Sequence, residues 1–70
     1  MNEELLKYII ERVINNAQDA SADYAKEKDN FNDGKCLAYY EVLDTIRNEL
    51  TAHDLDISDY GLDVKIQNIL

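Results

Sequence analysis

Residues 6–24 read LKYIIERVINNAQDASADY. Within this stretch Leu6, Ile10, Val13, Ala17, Ala20 and Tyr24 follow one another at steps of 4, 3, 4, 3 and 4. Such steps hold side chains on one face of an α-helix and are incompatible with the period of two of a strand. A second stripe follows, Cys36, Tyr39, Leu43, Ile46 and Leu50, at steps of 3, 4, 3 and 4. Two amphipathic helices separated by a short polar connection predict an antiparallel helical hairpin, since each apolar stripe needs a surface to cover it.

The first helix is expected over about residues 3–28. Asn2 suits the N-cap, and Glu3 and Glu4 complement the positive end of the helix dipole, with Lys26 and Lys28 at the other end. Its first half is broad and greasy (Leu5, Leu6, Ile9, Ile10, Val13, Ile14), its second half narrow (Ala17, Ala20, Ser21, Ala22, Ala25). The second helix is expected over about residues 31–52, with Asn30 as cap and Asp33 as the acid of a capping box. The sequence Asn32-Asp33-Gly34 is also a turn signal, which would instead extend the loop to Gly34. The earlier start puts Phe31, Gly34 and Ala38 on one face. Gly34 costs about 1 kcal/mol inside a helix but admits a neighbouring backbone. Close packing is therefore expected at Gly34 and Ala38 against the narrow half of the first helix. Val42, Leu43, Ile46 and Leu50 should meet its broad half at a splayed open end.

The tail, residues 54–70, is the natural filler for that end. Gly61 fits the left-handed position that terminates a helical turn. Ile57 and Leu62 then occupy the paired apolar positions of a Schellman ending. Docking is expected through Ile57, Tyr60 and Leu62, and Asp63 should cap a last short helix from Val64 to about Ile69. Alternation of Leu55 and Ile57 with acids also fits a short strand, for which no partner strand is evident. The chain has no proline, no internal repeat and no low-complexity segment.

Seventy residues make one small domain. Domains of this size bury only roughly 60% of their unfolded surface and usually need a staple. A single cysteine, Cys36, excludes an intrachain disulfide, and self-association is the favoured substitute. Fifteen acids against seven bases give a net charge of −8. That charge disfavours direct contact with nucleic acid or with an anionic membrane, and it permits contact with a basic protein surface. No basic leader precedes the first apolar residues and no apolar run reaches membrane-spanning length, so a cytoplasmic protein is expected.

Chemistry-bearing motifs fail one by one. Residues 29–34 superficially match a calcium loop, but position 3 is Phe31 and position 12 is Tyr40, where oxygen ligands are needed. His53 is the only histidine and has no co-ligands, so it reads as a helix-end residue. Cys36 has no adjacent base, since Lys35 projects about 100° away on a helix. No phosphate loop, nucleophile–base pair or carboxylate pair stands out, and no catalytic, metal or cofactor-binding residue is assigned. Tyr39 belongs to the core stripe of the second helix. Tyr40 points elsewhere, either into the core of one subunit or onto a dimer face. Leu5, Ile9, Ile14, Phe31 and Tyr40 lie off the stripes and form the candidate interface. A homodimer in a four-helix arrangement is the expected partner state.

The stretch Phe31-Asn32-Asp33-Gly34-Lys35-Cys36-Leu37-Ala38-Tyr39-Tyr40-Glu41-Val42-Leu43-Asp44 has the form Phe-x-x-Gly-x-x-x-Ala-Tyr-Tyr-Glu-x-Leu-Asp, and Gly61-Leu62-Asp63 follows in an acidic tail. It resembles a group of short, acidic, uncharacterised helical proteins encoded by bacteriophages and integrated mobile elements. The resemblance implies a phage-like accessory protein and carries over no established catalytic residue. It also admits an inhibitor of a host nuclease or defence complex, because small acidic phage proteins include anti-CRISPR proteins and other inhibitors of host defence.

Overall fold

The computed structural model describes residues 2–63. Two helices, α1 (Glu3–Lys26) and α2 (Asn30–Ala52), form the hairpin, and a 3-10 turn (Ile57–Tyr60) follows. The described residues contain no strand, so Leu55 and Ile57 do not form one. The expected helix from Val64 to Ile69 lies outside the described residues.

Both helix starts are fixed by side-chain oxygens. Asn2 Oδ1 accepts the Leu5 N–H at 2.7 Å, as expected. The cap of α2 is Asp29, one residue before the expected Asn30, and its Oδ1 accepts the Asn32 N–H at 2.8 Å. The shift has a physical reason. A carboxylate is the stronger acceptor at the positive helix end. One turn into α2, the buried Asn32 carboxamide donates to the Glu27 carbonyl oxygen at 2.9 Å, which ties the connection down. The first helix correspondingly stops at Lys26, two residues short of expectation.

The core follows the two stripes. Ile10, Ala17 and Ala20 of α1 and Cys36, Leu43 and Leu50 of α2 are buried, joined by Tyr60 and Leu62 from the tail. Leu6, Val13, Tyr39 and Ile46 pack around them. The helices approach closely near the turn through Ala20 and Cys36, whose thiol donates to the Ala20 carbonyl oxygen at 3.3 Å.

Gly34 and Ala38 do not take part, against the expected close packing. Both are exposed, and a Cβ added to Gly34 would meet nothing within 4 Å. Each lies two residues from Cys36, about 200° round the helix. The larger stripe from Cys36 to Leu50 sets the rotation of α2 and turns Gly34 and Ala38 outward. Val42 is turned out by the same rotation and is 48% exposed, so it too leaves the expected core.

Two consecutive chain reversals carry the tail back onto the hairpin. At the end of α2, Asp54 adopts a left-handed φ of 62°. The Asp54 N–H donates to the Thr51 carbonyl and the Leu55 N–H to the Leu50 carbonyl, at 3.0 and 2.9 Å. At the end of the 3-10 turn, Gly61 has φ 77°, and the Leu62 N–H donates to the Ile57 carbonyl at 3.0 Å. Both are Schellman endings, and the second is the one read from the sequence. Between them Asp56 Oδ1 accepts from the Ser58 hydroxyl at 2.7 Å and the Ser58 N–H at 3.0 Å. These bonds hold the Asp56 carboxyl below its usual pKa.

Candidate functional site

The hairpin has two faces, and heptad arithmetic assigns residues to them. On α1, Ile9, Asn16 and Asp23 follow at steps of seven; on α2, so do Lys35, Val42 and Glu49. The Lys35 ammonium lies 3.0 Å from Asp23 Oδ2, which places both stripes on the same side of the molecule. Tyr60 and Gly61 lie on the other side. The Lys7 ammonium stands 5.7 Å from the centre of the Tyr60 ring. The Cδ1 of Ile14, one heptad from Lys7, lies 3.7 Å from where a Gly61 Cβ would sit. One face is thus closed by the tail and the other is open.

This division splits the expected interface. Leu5 and Ile9 lie on the open face and are 47% and 41% exposed. Ile14 lies about 140° round α1 from Ile9 and packs against the core beneath the tail. Tyr40, about 160° round α2 from Val42, is likewise half-buried against the core. Phe31 stands alone at the turn end, 73% exposed, with the Lys35 ammonium 5.4 Å from its ring centre. Of the expected docking residues, Tyr60 and Leu62 are buried and Ile57 is half-buried against the core.

Val42 is the open-face residue that sequence reasoning missed. Its signal was available, because it sits one residue before Leu43 and so cannot share that residue's face. Near the open end a groove of about 360 Å³ runs between the helices. Its walls are Leu6, Ile10, Ile46, Leu50 and Leu55, and Thr45, Glu49 and His53 also line it. Toward the turn the same face becomes polar through Asn16, Asp19, Asp23 and Lys35.

No group of three or more His, Cys, Asp or Glu among the described residues is placed to hold a metal ion. Cys36 is buried with its thiol committed to a backbone carbonyl. His53 ends α2, with Nε2 3.9 Å from Glu49 Oε2, and both side chains are exposed. No helix among the described residues is long and apolar enough to cross a membrane. No protein-family model matches the chain, and neither does a curated protein or a solved structure.

Proposed function

We propose that this chain is a small acidic protein–protein interaction module of phage or mobile-element type, cytoplasmic and without catalysis, that works as a self-associating dimer in a four-helix arrangement. One observation carries the reading. Residues 57–62 pack on one face of the hairpin, and the other carries an apolar groove with exposed Leu5, Ile9 and Val42 on the same side. Covering such a patch with protein removes its apolar surface from water. Light scattering coupled to size exclusion tests this at micromolar concentration. A mass twice the 8.1 kDa of the chain is expected, and a clean monomer overturns it.

A second reading has its own observation. From residue 48 to residue 63 the chain holds Glu49, Asp54, Asp56, Asp59 and Asp63 and no lysine or arginine. Exposed carboxylates of this density fit a basic partner surface, as an inhibitor of a host nuclease or defence complex that imitates nucleic acid would require. Capture from infected host extract separates the readings. A basic nuclease retained by the wild type, and lost when Asp54, Asp56 and Asp59 are changed to Asn, favours inhibition.

A further inference from the structure

We infer that a second copy of this chain covers the open face, with the two-fold axis along the helices, so that Arg12 of each α1 meets Glu49 of the other copy's α2. The inference rests on the self-association reading and adds its geometry.

The argument starts from charge. Arg12 lies on the open side of α1, three residues after Ile9, and joins none of the ion pairs formed among the described residues. Glu49 closes the heptad stripe of α2 on the same face, and no lysine or arginine pairs with it among the described residues; its Oε2 lies 3.9 Å from Nε2 of the exposed His53. Among the described residues, one side of the face therefore ends in a base outside any ion pair and the other in an acid with no lysine or arginine partner. A two-fold interface must be self-complementary, and this distribution is.

The level of the two groups follows from the hairpin register. Asp23 meets Lys35 and Ala20 meets Cys36. Continuing that antiparallel order places Arg12 level with residues 44–46 of α2. An axis along the helices keeps those levels and lays each α1 on the other copy's α2. The remaining offset to Glu49 is about one helical turn, roughly 5.4 Å. Side chains lean toward the N-terminus of their own helix. Arg12 thus leans toward the open end and Glu49 leans back from it, which closes the gap. An axis across the helices would instead stack α1 on α1 and bring the two Arg12 regions together.

Size agrees. The molecule extends 37 × 19 × 17 Å. A stable interface buries about 800 Å² per partner. Overlap of the whole length of the face comes near that value, and overlap of the apolar half alone falls well short.

Two charge reversals test this, Arg12→Glu and Glu49→Arg, both at exposed positions where the helical circular dichroism should not change. Each variant alone should self-associate about tenfold more weakly than wild type, because each homodimer repeats the like-charge contact twice. The two variants mixed in equal amounts should recover association to within about threefold of wild type, because the heterodimer restores both opposite-charge contacts. Variants that dimerise like wild type, or a mixture no better than its components, overturn the geometry while leaving self-association standing. A wild-type protein that is monomeric throughout overturns the self-association reading itself.

Discussion

Ile9 and Ile14 sit five residues apart on α1, yet Ile9 is 41% exposed and Ile14 is packed beneath the tail. The local helix treats them alike. What separates them is that residues 57–62 pack on the Ile14 side of the hairpin, while Ile9 on the other side stays exposed. The closed face shows what this sequence does with apolar surface when it has a segment to cover it. The open face shows what remains when the described chain has no second segment, and that remainder is where partners are to be sought.

The largest effect that sharpens this contrast is truncation on either side of it. Leu62→Ala removes a fully buried side chain from the closed face and should cost about 2–5 kcal/mol in urea unfolding, a large share of the stability of so small a domain. Ile9→Ala on the open face should change monomer stability by less than about 0.5 kcal/mol while weakening self-association. Equal costs at the two positions would erase the distinction between the faces.

Next come the two reversals that deliver the tail. Gly61→Val forces a β-branched residue into a left-handed conformation and should destabilise by about 2 kcal/mol or more. Gly61→Asn should cost much less. The space is adequate, since an added Cβ would lie 3.7 Å from Ile14, so a large loss for Val but not for Asn identifies backbone strain as the cause. Asp54 holds the same conformation without being glycine. Asp54→Gly should therefore raise the unfolding free energy by about 0.5–1 kcal/mol. A loss would show that the Asp54 carboxylate does more than tolerate the turn.

Ala38→Leu should be within about 0.5 kcal/mol of neutral, because Ala38 faces outward. A cost of about 1–3 kcal/mol, as overpacking in a seam produces, would put it back between the helices. The smallest effect is acid dependence at the tail. Asp56 has a folded pKa below the usual aspartate value of 3.8, chiefly through the Ser58 hydroxyl and then the Ser58 N–H. Its contribution is complete above pH 3.8 and is lost as the pH falls through the folded pKa. Ser58→Ala should flatten the acid limb of the stability profile below about pH 4.

Much of this fold was legible. Heptad steps in strictly local sequence located both helices, and Asn2 marked a start that its side chain does make. Gly61, with Ile57 and Leu62, announced the second reversal because a left-handed residue between two apolar ones is a local requirement. The first reversal carries the same apolar pair, Leu50 and Leu55, but hides it behind Asp54, which tolerates φ above zero without advertising it. Gly34 was misleading. Smallness permits a close approach without requiring one, and the larger Cys36-to-Leu50 stripe decided which way α2 faced.

The candidate interface was legible only by type. Sequence identified Leu5, Ile9, Ile14, Phe31 and Tyr40 as apolar residues outside the two stripes, because periodicity needs only the chain itself. It could not sort them, because Ile14 meets Gly61, some forty-seven residues later in the chain, and Tyr40 packs against a core drawn from both helices and the tail. Periodicity, caps and the Gly61 turn are settled within a few residues by backbone geometry and hydrogen bonding. Which face the tail chooses, and hence which apolar residues stay bare, depends on long-range burial that competes across the whole hairpin, and only the tertiary structure decided it.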